Sequence, residues 1–481
     1  MAVAEATATA ALGRRSPAHG RTRGFFDRPG WPLRVIYYGY PIWWVVGGAQ
    51  LIFIAMAVPM AFSLLRRPVK VPRGFALWLL FLVWVAASVL VLWTNVPGTV
   101  PVHGASRLFI FTYRLLWYLA LTIVLLYVGN LDEEELPGQS IARMLGFMFV
   151  VIVIGGLVAI IDPHLQFRSL TERVLPHRVS SNAFFHQIIH PRIAQVQSFL
   201  GFADARPSAP YYYTNAWGCN LSLCLPFFIL AWRDKRAGWR RAVAPIVLLA
   251  ALVPAIYSLN RGLWIGVIAM AVYVAVRLAV QGRVWAVRGL VGAVLVGGLV
   301  FVASPLHSLV QQRLHHGHSN ARRTDLAGTT LRTTADSSPV IGFGNTRRVL
   351  GNFSSIAGGA RPDCPFCAAP PLGTQGHLWL VVVSQGLVGA GLFLMFFVRR
   401  FLASLRDKSP YALAGTAVLV AAAVELPFYD MLADPLFTCM IAVALLWRSE
   451  AGRLTTPVRA EGSRLPVRRA AGASTARRRW A

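Results

Sequence analysis

Arginine and histidine residues at the ends of apolar segments are the side chains best suited to chemistry. Arg261 lies in the sequence Ser-Leu-Asn-Arg-Gly at residues 258–262, a tight break between apolar runs at 243–259 and 263–276. Burying a guanidinium in hydrocarbon costs about 2.5–3.5 kcal/mol even on lenient scales. We therefore expect Arg261 to face protein or water at a membrane boundary, where its planar fork suits phosphate.

A second arginine, Arg206, precedes a proline-rich approach to a helix. Residues 207–213 read Pro-Ser-Ala-Pro-Tyr-Tyr-Tyr, and Asn215 follows at the expected helix start. Prolines stiffen such an approach and asparagine is a common helix cap, so one interpretation is purely structural. The alternative is that Arg206 and Arg261 converge on one phosphate group. Arg114, about two turns inside its own helix, either binds a ligand or extends toward the interface.

His377 is the candidate general base. It follows Gly-Thr-Gln-Gly at residues 373–376 and precedes an apolar run at 378–397. Imidazole titrates near neutral pH, so a histidine at the membrane boundary can accept a proton, although a single loop histidine is more often incidental. Glu425 lies near the end of a late helix, with Asp430 just beyond it. These carboxylates either balance the arginines or bind a substrate hydroxyl.

Metal and redox chemistry are less well supported by the sequence. His186 and His190 are four residues apart and could share a helical face, as metal ligands do. No carboxylate accompanies them at close spacing, and the histidine-rich tract at 315–318 is equally bare, so we predict no metal site. Cys364 and Cys367 stand in a Cys-Pro-Phe-Cys sequence, for which a local disulfide is a better prediction than a redox centre or zinc site.

The composition places these residues in a membrane protein. Hydrophobic residues make up 56% of the 481-residue chain, and long apolar runs recur, which excludes an ordinary soluble enzyme. The net charge of +28 comes from arginines in short loops and in both tails, a distribution that the positive-inside rule explains without nucleic-acid binding. We predict an all-α polytopic membrane protein with about twelve transmembrane helices, cytoplasmic termini and two larger extracytoplasmic loops.

The first apolar run decides the topology. Residues 35–65 are too long for one simple span, since a transmembrane helix needs about 20 residues. Two short helices hinged near Gly47 and Gly48 would form a hairpin that returns the basic cluster at 66–73 to the cytoplasm. The basic loop at 233–241 belongs on the same side.

Three regions follow from this topology. Residues 1–32 lack an apolar signal-peptide core and read as a disordered basic cytoplasmic tail. Residues 33–448 form the transmembrane domain, with outer loops at 162–213 and 305–376. Residues 449–481 read as a second disordered basic tail, suited to contact with anionic membrane lipids.

Three motifs in order resemble those of a known family. Residues 258–264 read Ser-Leu-Asn-Arg-Gly-Leu-Trp, and residues 376–380 read Gly-His-Leu-Trp-Leu, followed by Gln-Gly-Leu-Val-Gly at 385–389. Together with the approach from Arg206 to Asn215, they resemble signatures of the O-antigen ligase and O-antigen polymerase superfamily of bacterial membrane glycosyltransferases. Those signatures are Ser-Arg-Gly, His-Asn-x-x-Leu…Glu-x-Gly-x-x-Gly and Arg…Gly…Asn.

The resemblance covers most of the membrane region, residues 40–450. Three positions depart from the family pattern. Asn260 stands where the family usually has serine, Leu378 where it has asparagine, and Gln385 where it has glutamate. Ligase and polymerase activities both stay open, as do the identities of the glycan and acceptor and the oligomeric state.

The resemblance implies a GT-C-like fold in the bacterial cytoplasmic (inner) membrane and a role in cell-surface polysaccharide or cell-wall biosynthesis. It implies transfer of a glycan from a polyprenyl diphosphate, such as undecaprenyl diphosphate, to a hydroxyl of a glycan or glycolipid acceptor on the outer face. Such transfer is inverting and needs neither a cofactor nor a metal. Arg206 and Arg261 would stabilise the departing diphosphate, and His377 would take the acceptor proton. The residues expected to contact substrate are Arg114, Asn215, Asn260 and Glu425.

Two other functions compete with this interpretation. A peptidoglycan-type polymerase of the shape and elongation class would usually use an acidic base in an outer loop, for which the candidates are Asp325, Asp336 and Asp363. A non-enzymatic flippase or exporter of lipid-linked glycans would also be polytopic and cationic. It would require a charged path across the membrane, whereas most charges here are expected to gather at one face.

Overall fold

The chain is mostly helical and membrane-embedded. The computed structural model describes residues 24–101, 103–180, 183–199, 202–292, 295, 318–348 and 371–453. Within these ranges six helices are long and apolar enough to cross a membrane, and shorter apolar helices accompany them. The total number of spans stays a prediction, because the sequence has a further apolar run at residues 290–304 that lies mostly outside the described residues.

The N-terminal hairpin is present. Helix α1 (Trp31–Val46) ends at Gly47, whose φ of +84° is a left-handed conformation that glycine adopts readily, and α2 (Leu51–Leu65) begins soon after. A side chain at Gly47 would also collide with Ser169 and with the Ile189 carbonyl oxygen. The break therefore depends on glycine both for its backbone conformation and for its close packing against a later loop.

The remaining helices alternate with loops along the chain. In the first half they are α3 (Phe75–Ala87), continued by a 3-10 turn (Ser88–Val91), α4 (Ser106–Asn130) and α5 (Gly138–Ile161). After a long loop come α9 (Thr214–Trp232), α10 (Trp239–Tyr257) and α11 (Arg261–Val280). The C-terminal part contains α12 (His318–Ser337), α13 (His377–Ser404), α14 (Pro410–Glu425) and α15 (Asp434–Glu450).

The loop between α5 and α9 adds a short β-hairpin to the helical fold predicted from the sequence. It contains three short helices, α6 (Leu170–Val174), α7 (His177–Ser180) and α8 (Ala183–Ile189), and two strands, β1 (Ala194–Phe199) and β2 (Phe202–Pro207). The strands form an antiparallel hairpin with Ala194 opposite Pro207 and Phe199 opposite Phe202. A short hairpin can pair its own backbone groups outside the membrane, so it needs no apolar periodicity that a search for spans would detect.

The bundle core is formed by helices that are distant in sequence. Helix α5 packs against α9, α11 against α14, α15 against α4, and α3 against α13. Large side chains fill the interior, including the fully buried Trp78, Trp117 and Trp217. Helix α15 is buried along nearly its whole length, which makes it the central helix of the described bundle.

Salt bridges join the helix ends that carry the basic clusters predicted to be cytoplasmic. Arg67 forms a two-pronged contact with Glu135, at 3.1 and 3.2 Å. Arg448, which is fully buried, donates to Glu133 at 3.1 Å. Helix α15 continues to Glu450, across the predicted tail boundary at 449.

Candidate functional site

The break around Arg261 is a strained turn between two helices. Helix α10 ends at Tyr257 and α11 begins at Arg261, and Leu259 between them has a φ of +51°. A left-handed conformation is unusual for leucine and persists only where the surroundings hold it. Asn260 is buried and donates from Nδ2 to the Thr214 carbonyl oxygen at 2.7 Å, which ties the turn to the start of α9.

Arg206 holds the same turn from β2. Its Nε donates to the Ser258 carbonyl oxygen at 2.7 Å, and its Nη2 donates to Asn260 Oδ1 at 2.9 Å. The structure therefore brings Arg206 to the turn that carries Arg261. Since two of its nitrogens bind protein oxygens, Arg206 positions Arg261 in addition to contributing charge. Asn260 is likewise a structural partner of Arg206 in this arrangement.

Arg261 is half-buried at the first residue of α11, where backbone N–H groups and the helix dipole favour an anion. The Tyr429 hydroxyl packs over this end and accepts from the Leu263 N–H at 2.7 Å. A Cβ on Gly262 would come within 2.6 Å of that hydroxyl, so glycine permits the close approach. The charge of Arg323 on α12 also acts on Arg261, which makes the region strongly cationic.

His377 is fully buried at the first residue of α13. Its backbone N–H donates to the Tyr429 carbonyl oxygen at 2.8 Å, which fixes the start of the helix. Its Nε2 lies 3.4 Å from the Tyr118 hydroxyl of α4. On the other side of the ring, Nδ1 lies 3.4 Å from Asp430 Oδ1, close enough for an ion pair but without hydrogen-bond alignment. The imidazole thus lies between a phenol and a carboxylate.

Asp430 is the solvent-facing member of this pair, with 69% of its side chain exposed against 0% for His377. The surrounding protein favours the neutral carboxyl, but the contact with His377, the Leu432 N–H and the charge of Arg114 together hold the pKa of Asp430 below its ordinary value. Arg114 is half-buried and donates from Nη1 to Asn345 Oδ1 at 2.7 Å. It therefore contributes a positive charge to the site from α4.

Two predicted substrate contacts lie in unexpected surroundings. Glu425 is fully buried at the end of α14, and a Cβ on Gly266 would come within 2.6 Å of its Oε1. It lies below the site rather than at its surface. Asn215 is not the helix cap, because α9 begins at Thr214 and the cap position is Tyr213. The Thr214 N–H and hydroxyl instead donate to Gln195 Oε1, each at 3.2 Å, so a side chain from β1 supplies the acceptor.

The motif after His377 breaks α13 instead of continuing it. Gly386 has a φ of +70°, so the run predicted as one helix consists of two helical parts. The loop after α12 pairs with the interrupted backbone: the N–H groups of Phe343 and Gly344 donate to the carbonyl oxygens of Val383 and Ser384, each at 2.8 Å. Irregular backbone at membrane depth is tolerated only with such internal partners.

Several predicted features fall elsewhere. Asp325 and Asp336 are exposed on α12, a polar helix within the segment predicted as a loop. Its residues Thr330 and Thr334 donate their hydroxyls to backbone oxygens one turn earlier, each at 2.7 Å. The predicted disulfide between Cys364 and Cys367 lies outside the described residues. So do the third acidic candidate, Asp363, and the histidines His307, His315 and His316.

Sequence reasoning did not identify Tyr118 or Asn345 and left the role of Asp430 open. Tyr118 is four residues after Arg114 on α4, so helical spacing could have placed both on one face. Asn345 has no comparable signal, because only the packing of the loop after α12 brings it to α4. No protein-family model, no curated protein and no solved structure matches this chain in the comparisons made with it.

Proposed function

We propose that the protein is a membrane glycosyltransferase that moves a glycan from a polyprenyl diphosphate to an acceptor hydroxyl on the outer face of the bacterial cytoplasmic membrane. The observation that carries the proposal is the pairing of buried His377 with exposed Asp430 beside a turn that presents Arg261. The resemblance to O-antigen ligases and polymerases points to the same chemistry.

The leaving group is stabilised by fixed positive charge. When the bond between the anomeric carbon and the diphosphate breaks, the departing lipid diphosphate gains negative charge. Arg261 and the N-terminus of α11 can stabilise that charge, because a preorganised cation and helix end need little rearrangement. Arg206 keeps the turn in place through its bonds to Ser258 and Asn260.

The His377–Asp430 pair removes the acceptor proton. The acceptor oxygen attacks the anomeric carbon from the face opposite the diphosphate, which inverts that centre. Asp430 is the group that solvent and an acceptor can reach, while His377 lies behind it with Nδ1 facing the carboxylate. Because His377 is buried, we propose that it supports the carboxylate of Asp430, which contacts the acceptor, instead of contacting the acceptor itself.

An apolar cavity of about 280 Å³ supports a lipid-linked donor. It is lined by side chains of α13, α14 and α15, including Phe397 and Leu419. It also reaches Leu426 and Met431, which lie in the segment between α14 and α15 that contains Asp430. A hydrocarbon chain bound there would leave its diphosphate close to the cationic site. Burial of apolar chain surface contributes about 0.8 kcal/mol per CH₂ group.

A gene deletion tests the function directly. We expect the deletion strain to accumulate a polyprenyl-diphosphate-linked glycan, which can be extracted and identified by mass spectrometry. The purified protein, reconstituted in lipid vesicles, should transfer that glycan to an acceptor. Absence of both accumulation and transfer would overturn the proposal, whereas accumulation without transfer by purified protein would favour a flippase or exporter.

Arg261→Lys tests the role of the guanidinium. Lysine keeps the charge but loses the planar pair of donors, so transfer should fall on the order of 10²-fold in a vesicle assay. Arg233→Lys is the matched control, because Arg233 is exposed at the opposite end of α9. Equal turnover in the two variants would remove Arg261 from the mechanism.

A further inference from the structure

A group of metal-ligating side chains lies in the loop between α5 and α9. Glu172 belongs to α6, His186 belongs to α8, and His190 follows α8 directly. One oxygen or nitrogen atom from each lies within 4.8 Å of the other two. The sequence shows only the two histidines at helical spacing, and the carboxylate that joins them is 14 residues before His186 in a different helix.

The geometry holds the three side chains together. The backbone N–H of His190 donates to the His186 carbonyl oxygen at 2.9 Å, so the helical turn continues and both rings lie on one face. His190 Nδ1 lies 2.8 Å from Glu172 Oε2, and His186 Nε2 lies 3.8 Å from Glu172 Oε1. The two rings stack with centroids 4.6 Å apart and an angle of 16°.

These separations suit a small divalent cation. Two ligands of a tetrahedral Zn²⁺ ion with bonds of about 2.0 Å lie about 3.3 Å apart, between the two distances above. Glu172 and His190 are largely buried, with 9% and 16% of their side chains exposed, whereas His186 is 49% exposed and can adjust. Two imidazoles and one carboxylate form a ligand set that Zn²⁺ commonly uses with a fourth, open position.

Arg168 is the competing cation. Arg168 lies four residues before Glu172 in the chain; its Nε is 3.9 Å from Glu172 Oε1, and 79% of its side chain is exposed. A carboxylate surrounded by a guanidinium and two histidines could be a hydrogen-bonded ion cluster that needs no metal. Because Arg168 is so exposed, it can move away when an ion binds, and its removal separates the two explanations.

We propose that Glu172, His186 and His190 bind one Zn²⁺ ion that links α6 to α8. Helix α6 is already attached to the N-terminal hairpin, since the Thr171 hydroxyl donates to the Val46 carbonyl oxygen at 2.7 Å. The ion would therefore fasten α8 to the α1–α2 break through α6. None of these three side chains is among those proposed to take part in glycan transfer, so the proposed role of the ion is to stabilise the loop.

Co²⁺ titration of the purified full chain tests the site. The protein in detergent is first stripped with a chelator, and Co²⁺ is then followed by its visible d–d absorption and by competition with Zn²⁺. His186→Ala should remove one bound ion per chain and weaken binding by more than about 10²-fold, since even an outer-shell partner is worth about 10- to 100-fold. The comparison of variants is needed because the chain has other histidines and cysteines.

Three variants complete the experiment. His164→Ala, an exposed histidine of the same loop, should bind Co²⁺ as the wild type does. Glu172→Gln keeps the shape of the buried side chain and should lose the ion. Arg168→Ala should bind at least as tightly as wild type, because a competing cation is gone. Unchanged stoichiometry and affinity in His186→Ala, or weaker binding in Arg168→Ala, would overturn the zinc site.

Discussion

In the proposed mechanism His377 and Asp430 share the proton chemistry, but they differ in what they can contact. The histidine has no exposed surface, while the carboxylate is mostly exposed and its pKa is held below the ordinary value. Asp430 is therefore ionised throughout the neutral range and is protonated only as the pH falls through that lowered pKa. We expect Asp430, as the proton acceptor that contacts the substrate, and His377, as the ring that orients Asp430, to act as one unit.

Removal of either member should have nearly the same effect as removal of both. We expect Asp430→Asn and His377→Ala each to lower transfer by about 10²–10⁴-fold, with donor binding largely intact, because a base acts in the transition state. The double variant should be little worse than either single variant, since groups that act as a unit are not additive. Turnover in vesicles and binding of the lipid donor measure the two effects.

Asp336→Asn is the control for this pair, because Asp336 is an exposed carboxylate on α12. It should leave transfer unchanged. Near-normal transfer by His377→Ala together with loss of transfer by Asp336→Asn would move the base to α12. That result would favour the peptidoglycan-type polymerase.

The break in α13 determines how the loop after α12 reaches the site. Gly386 interrupts the helix, and the Leu387 N–H donates to the Pro339 carbonyl oxygen at 2.7 Å, so the loop replaces part of the helical hydrogen bonding. The same loop carries Asn345 to Arg114. The glycine-containing motif after His377 therefore builds the site indirectly, by allowing a second segment to pack against the bundle.

Gly386→Ala should destabilise the protein, whereas Gly391→Ala should not. At Gly386 a Cβ would lie 2.5 Å from the Val340 carbonyl oxygen, and the alanine would also have to adopt a positive φ. The expected cost is more than about 1 kcal/mol, seen as a lower thermal unfolding midpoint in detergent. Gly391, in the same helix, has open space around it, and alanine there should be neutral or stabilising by about 0.5–1 kcal/mol. Equal midpoints for the two variants would contradict this role of the break.

Taken as a whole, the bundle separates its charges by end. Arg67 pairs with Glu135 and Arg448 with Glu133 where the basic clusters gather. At the other end Arg261 lies beside the Tyr429 hydroxyl and the charge of Arg323. The positive-inside rule predicts that the first end faces the cytoplasm, and with that orientation the proposed transfer reaction would lie on the outer face.

Cysteine labelling tests this orientation. Lys70→Cys and Thr94→Cys place a thiol at exposed positions before and after α3, at opposite ends of the bundle. In intact cells an impermeant maleimide should label residue 94 and not residue 70. Cys364 and Cys367 are replaced first, while the other three cysteines are buried and need no change. Labelling of residue 70 from outside would reverse the orientation.

The sequence by itself determined the features that depend on neighbouring residues. The hairpin break at Gly47 and the turn before Arg261 are both present, because glycine conformation and the cost of burying a guanidinium act locally. The apolar runs likewise predicted a membrane-embedded helical protein, since the length of a span is set by the thickness of the bilayer.

The tertiary structure decided which side chains meet. Tyr118, His377 and Asp430 come from three segments far apart in the chain, and no spacing in the sequence relates them. Burial of His377, the break of α13 at Gly386 and the joining of Glu172 to two histidines likewise depend on packing between distant elements. Local pattern fixes where a helix begins and ends, whereas contacts across the bundle follow from how all the helices fill one core.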